Sequence, residues 1–219
     1  MTAPVRPKLA ASLALYRRAR SGALEILMGR RAASCAFMPG VWVFPGGRVE
    51  RADARAPYRS PLDPGVSAVL EKRLSPERAR AAALAAIRET FEETGVRFAA
   101  PAGEPPTAPP LWAGFCAPGR LAPLAALDLA ARAVTPTDRS KRFDCYFFFA
   151  EGSEAEGEPA PGPEEELDQV GWVGLDTLAQ RPTHSVTRFV LGEIQAMLDA
   201  PRPPRGLYVR RGRARTAPL

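Results

Sequence analysis

The segment from Ser75 to Gly95 leaves the chain fewest conformations. The Ser75 hydroxyl suits a helix N-cap, and Pro76 fits the first helical position because its φ is already set. "ERARAAALAAIRETFEET" follows, nearly all residues of high helix propensity, and Gly95 supplies a C-terminal glycine. Leu84, Ile87 and Phe91 recur at i, i+3 and i+7. At about 100° per residue, Glu89, Glu92 and Glu93 centre on roughly the opposite side. The pattern predicts a helix that buries one face and presents three carboxylates on the other.

Those carboxylates lie within about one helical turn, roughly 6 Å apart, and repel one another. On an ordinary exposed helix they are simply solvated. Here Arg88 precedes the first of them, Gly95 closes the helix behind the last, and a Pro45-Gly46-Gly47 turn stands upstream. Glycines there permit backbone angles closed to other residues and let a ligand approach the main chain. Hard oxygen donors at this spacing suit Mg²⁺ or Mn²⁺, and a divalent ion would cancel the repulsion.

The rest of the chain reads as alternating strands and helices. Leu9–Tyr16 and Ala23–Met28 flank Ser21-Gly22 as a hairpin, and "VWVF" is a third short strand. Residues 54–74 hold Pro57, Pro61 and Pro64 and a short helix near Ser67–Arg73; they read as an insertion that loops out. Five prolines between Pro101 and Pro110 predict a stiff loop. "LAPLAALDLAARAV" reads as a helix, and "FDCYFFFAE" and "DQVGWVGL" as strands. "EGSEAEGEPAPGPEEEL" is an acidic loop, "THSVTRFVLGEIQAMLDA" a terminal helix, and "GLYVRRGRAR" one edge strand in a basic tail at 205–219. The class is α/β, or α+β with a mixed sheet.

A length of 219 residues suits one domain with extensions. No apolar run approaches about 18 residues, so no membrane span is expected. "LAASLALY" after Arg6 and Lys8 is too short for a signal peptide and reads as a strand. Cys35, Cys116 and Cys145 form no Cys-x-x-Cys pair, which supports neither a disulfide framework nor a cysteine zinc site. A reducing cytoplasm is the default expectation. The net charge is +6, carried mostly by arginine, whose planar fork suits phosphate. Such a surface can steer a polyphosphate or bind nucleic acid. No RNA-recognition or helix-turn-helix signature accompanies it, so nucleic acid is not the expected partner.

At the residues around the glutamates the chain resembles the Nudix hydrolases. Their box reads G-x5-E-x7-R-E-U-x-E-E-x-G-U, with U a bulky aliphatic residue. Gly47 opens it here, Asp53 stands at the first glutamate, and Arg88-Glu89-Thr90-Phe91-Glu92-Glu93-Thr94-Gly95-Val96 closes it, with Thr90 the departure in this second half. Between Asp53 and Arg88 lie 34 residues instead of seven. This interrupted box, with "FPGGRVE" before it and "AIRETFEETGV" after it, resembles the branch of peroxisomal coenzyme A diphosphatases and their bacterial relatives. A coenzyme A signature upstream is met at Leu27, Arg31, Ala33, Gly40 and "FPGG", whereas Ala36 replaces its second arginine.

The resemblance implies a single Nudix domain over 1–219, an α/β/α sandwich around a mixed sheet. It implies Mg²⁺- or Mn²⁺-dependent attack of water on the diphosphate of a nucleoside diphosphate linked to another moiety. Coenzyme A or an acyl-coenzyme A is the leading substrate; ADP-ribose or a dinucleotide is the alternative, and a non-catalytic nucleotide sensor the rival of another class. By motif position Glu89 and Glu93 are metal ligands, Glu92 a ligand or the general base, and the Gly47 carbonyl a further ligand. Arg88 orients a glutamate through a charge-assisted bond. Some relatives take their base from a distant loop, which makes Glu164, Glu165 and Glu166 candidates. Arg30 and Arg31 can clamp phosphate, and Phe44, Trp42, Phe143 and Tyr146 can stack a base or simply pack the core. His184 reads as a cap or surface residue. A homodimer stays open.

Overall fold

A computed structural model describes residues 5–35, 38–104, 107–117, 119–210 and 213–219, the side chains of 209, 210 and 213 excepted. Ala36 of the coenzyme A signature lies outside them. The chain runs β1 (Lys8–Arg18), β2 (Leu24–Arg31), β3 (Trp42–Val43), β4 (Gly46–Arg48), β5 (Tyr58–Ser60), α1 (Pro64–Glu71) and α2 (Pro76–Thr94). It continues through β6 (Ala100–Pro101), α3 (Ala113–Cys116), β7 (Arg120–Pro123), β8 (Asp128–Val134), β9 (Phe143–Glu151) and β10 (Leu167–Gly174). It finishes with α4 (Leu175–Ala179), α5 (Ser185–Asp199), β11 (Arg205–Arg210) and β12 (Arg213–Pro218).

The main sheet has the order β10-β2-β1-β9-β8-β11-β12, with β3 on β2 and β4 on β1. β1 and β9 pair in parallel at its centre, from Lys8↔Phe143 to Tyr16↔Glu151. A central parallel pair needs cover on both faces, and alternation along these strands supplies it. Ala11, Leu13 and Leu15 of β1 and Tyr146, Phe148 and Ala150 of β9 join Leu84 and Ile87 of α2 in one core. Ala14, Phe147 and Phe149 point the other way and join Val190 and Ile194 of α5 in a second. The mixed α+β sandwich is therefore as expected.

α2 is capped as its sequence implies. Ser75 Oγ accepts from Arg78 N at 3.4 Å, and Gly95 takes a left-handed φ of 70°. Thr90 satisfies its buried hydroxyl by donating to the Ala86 carbonyl at 2.8 Å. The expectation of one buried and one open face is corrected, however. Residues 81–88 are all buried, because the alanines let the sheet, α1 and the 46–55 segment approach from several sides.

Three local expectations change in the same way. Residues 54–74 do not loop clear: Ala56, Leu62, Val66, Leu70 and Leu74 sit in the same core as Leu84. Asp63 caps α1 by accepting from Gly65 N at 2.7 Å and Val66 N at 3.3 Å, which starts that helix earlier than Ser67. "LAPLAALDLAARAV" is β7 and β8 instead of a helix; its alanine and leucine propensity yields to pairing along β9. The C-terminal segment makes two strands, with β11 parallel to β8 from Arg205↔Ala131 to Leu207↔Ala133. Among the described residues no helix is long and apolar enough to cross a membrane.

Because Leu70 is fully buried, Leu70→Ala should cost about 2–5 kcal/mol in denaturant unfolding. Exposed Arg59→Ala in the same segment should stay within about 0.5 kcal/mol. Equal, small effects would show the segment to be an appendage.

Candidate active site

Arg88 organises the carboxylate end of α2. It is only 3% exposed, so its guanidinium must find partners for every N–H. Nε donates to Asp53 Oδ1 at 2.8 Å, and Nη2 donates to Asp53 Oδ2 and the Arg48 carbonyl, each at 3.1 Å. Nη1 lies 2.6 Å from Glu92 Oε2 and 3.0 Å from Glu89 Oε1. Burial opposes the charge, but the Asp53 bonds and the neighbouring carboxylates hold Arg88 firmly protonated. Asp53, fully buried, also accepts from Trp112 Nε1 at 3.0 Å and from Glu50 N at 2.7 Å. Its oxygens are thus committed to the protein, and Asp53 serves as the anchor of Arg88. Trp112 sits in the proline-rich stretch, and nothing in the local sequence marks it as Asp53's partner.

The third glutamate is held from the other side. Glu93 Oε2 accepts from Gly46 N at 3.0 Å. At Gly47, a Cβ would stand 2.5 Å from the Glu89 carboxyl carbon, so a larger residue would push that carboxylate away from the main chain. The glycine turn and the glutamates read from the sequence therefore meet.

Burial pushes the Glu89 carboxyl up to about 7, against the pull of Arg88, and pushes Glu93 up to about 8, against its Gly46 bond. Glu92 is raised too, by burial more than Arg88 lowers it. These groups lack compensating positive charge, and their donor set is all hard oxygen, which fits a divalent cation. Glu89, Glu93, Glu92 and the Gly47 main chain are the groups that would hold it. Among the described residues no three acidic, histidine or cysteine side chains already stand as a metal cluster. Glu89 and Glu92 turn to Arg88, and Glu93 to Gly46, so ligation requires them to share or exchange those donors.

The acidic loop docks here. Gly162 N donates to the Glu93 carbonyl at 3.0 Å, and Ala160 N to the Thr94 carbonyl at 2.9 Å. Glu164 adds negative charge near Glu92, and Glu166 near Glu93. Glu165 is exposed, with a left-handed φ of 51°. Arg31 approaches Glu166 at 3.9 Å and favours the charged form of Glu93, which places it at the rim of the site. Arg30 donates from Nε and Nη2 to the two Asp168 carboxylate oxygens, at 2.7 and 2.9 Å. Phe44 is a correction: at 5% exposure, edge-on to Phe147, it packs the core and offers no open face to a base. Trp42 and Tyr146 are buried likewise. His184 caps α5 through Nδ1, which accepts from Val186 N at 3.3 Å.

The fold superposes on a Nudix hydrolase from Alicyclobacillus acidocaldarius over 90% of this chain and 94% of that one, with TM-score 0.68 and 26% identity. The chain has the fold of the Nudix hydrolases. A second member, a MutT Nudix hydrolase from Burkholderia pseudomallei, shares the fold at TM-score 0.50 and 19% identity, over 87% of this chain and 99% of that one. No protein-family model matches this chain. Among curated proteins, acyl-coenzyme A diphosphatase NUDT19 of Gallus gallus is 36% identical over 102 residues, covering 37% of this chain and 27% of that protein. The match thus spans about a quarter of the curated relative's length.

The raised carboxyls carry a testable sign. Unfolded, Glu89 and Glu93 titrate near 4.5; folded, near 7 and 8. The folded chain holds protons that the unfolded chain has released. These groups therefore favour the metal-free fold fully below about pH 4.5, and the advantage is lost as pH rises through 7 to 8. A cation bound to the ionised pair acts in the opposite direction. Millimolar Mg²⁺ should raise Tm more at pH 8.5 than at pH 6. A Mg²⁺ shift independent of pH would contradict this assignment of ligands.

Proposed function

We propose that the chain is a Mg²⁺- or Mn²⁺-dependent diphosphatase that hydrolyses a nucleoside diphosphate linked to another moiety. Coenzyme A or an acyl-coenzyme A is the substrate we favour. The observation that carries the reading is the buried Arg88, which gathers Asp53, Glu89 and Glu92 across the interrupted box. The choice of substrate rests on the partial identity with the acyl-coenzyme A diphosphatase.

The bound cation would neutralise charge developing on the diphosphate and lower the pKa of the attacking water. The chain's own residues do the rest. Arg88 restricts the rotamers of Glu89 and Glu92, which lessens the reorganisation needed as charge develops. The Glu92 side chain is 35% exposed against 17% for Glu89, which makes it the more accessible of the two to water and our first choice as base. Glu164 and Glu166 are the loop alternatives whose charge reaches the helix carboxylates, with Glu165 the more remote of the three. Arg31 is positioned to meet substrate phosphate beside Glu93. Arg30 holds Asp168 through Nε and Nη2, which leaves Nη1 as its edge toward a phosphate.

With Mg²⁺ and coenzyme A, the expected products are 3′,5′-ADP and 4′-phosphopantetheine, identified by mass. Glu93→Gln keeps the side-chain shape but removes a charge; turnover should fall on the order of 10²-fold or more in a folded variant. Cleavage of ADP-ribose or a dinucleotide in preference to coenzyme A would overturn the substrate. Near-normal turnover by Glu93→Gln would overturn the site.

A further inference from the structure

A second cluster of cationic and polar groups lies away from the glutamates. A cavity of about 210 Å³ opens where the α1–α2 connection, β8 and the β11–β12 hairpin meet. Arg73 and Arg132 line it, together with Leu207, Tyr208, Pro218 and Leu219. Two elements that the interrupted box and the C-terminus add thus close on one space. Lys72 Nζ fastens them by donating to the Leu219 carbonyl at 3.0 Å.

The cavity is separate from the candidate active site. Register pairs run in one row across the sheet: Gly47↔Ala11, Ala11↔Tyr146, Tyr146↔Arg132 and Arg132↔Gly206. Four strand spacings put Gly206, in the cavity wall, roughly 19 Å from Gly47. Tyr146, midway, is 2% exposed, so no groove joins the two.

The polar groups here are not fully used. Arg132 gives Nε and Nη2 to Asp144 at 2.7 and 2.8 Å, which leaves Nη1 outside that fork. Arg73 is exposed. The Tyr146 hydroxyl is sealed from solvent behind this wall, beside Arg132, the Asp144 carboxylate and Arg73. Around these groups the wall is apolar: Leu207, Pro218 and Leu219.

We propose that this cavity binds a small phosphate monoester with a short apolar substituent. Its oxygens meet Arg73 and the remaining Nη1 of Arg132, and its hydrocarbon lies against Leu207, Pro218 and Leu219. Two guanidinium groups favour a dianionic head over a carboxylate. The volume is below that of a drug-sized pocket, which limits the substituent to a few carbons.

The test is calorimetric titration of the full chain with hexyl phosphate, without added divalent metal, beside inorganic phosphate, hexanoate and hexanol. Hexyl phosphate should bind saturably and most tightly of the four. Arg73→Ala, at an exposed position that folding does not need, should weaken it about tenfold. Glu93→Gln should leave it unchanged, which distinguishes this cavity from the glutamate site. No saturable binding, binding indifferent to Arg73→Ala, hexanoate binding as tightly, or loss in Glu93→Gln would each overturn the proposal.

Discussion

The buried ion pair between Arg88 and Asp53 is the contact on which the rest of the site depends. A guanidinium taken out of water is costly by several kcal/mol unless each N–H is met. Here Asp53, the Arg48 carbonyl, Glu89 and Glu92 meet them. Satisfying Arg88 therefore pulls the strand after the glycine turn onto the helix and fixes two of its glutamates. The 34 residues between Asp53 and Arg88 do not weaken this, because both ends are held by packing. The intervening segment contributes Leu62, Val66, Leu70 and Leu74 to the core under α2.

Backbone groups complete what Arg88 begins. Gly46 donates to the Glu93 carboxylate, Gly47 rests on Glu89, and Gly162 donates to the last turn of α2. Strand, helix and acidic loop converge within a few residues of one another. Three glutamates are thereby held in partial burial with too little positive charge among them. Burial, only partly offset by Arg88 and the Gly46 N–H, raises their pKa values, and a divalent cation would favour the ionised forms.

Helix α2 was legible because its signals are local. Ser75, Pro76 and Gly95 mark its ends, and its interior has no competing β-branched run. The glycine turn and the glutamates were legible through the family pattern. Other features depend on distant contacts. Alanines at 130, 131 and 133 favour a helix in isolation, yet β9 recruits them as a strand. Prolines at 57, 61 and 64 suggested a loop, although the residues between and after them are core. The pairing of Trp112 with Asp53 bridges 59 positions, and no short pattern announces it. Phe44 follows the same logic: a ring beside a glycine turn can stack a ligand or pack Phe147, and only the fold decides between them.

We propose that Asp53 acts through Arg88 to position the glutamates that would hold the cation. Asp53→Asn keeps the size of the side chain but removes its charge and one of its two acceptors for Arg88. Mn²⁺ affinity, read by electron paramagnetic resonance on the folded variant, tests this most directly. The account expects affinity about 10- to 100-fold weaker than in the natural chain, the range for losing the partner that orients a ligand. A folded Asp53→Asn protein that binds Mn²⁺ as tightly as the natural chain would contradict it.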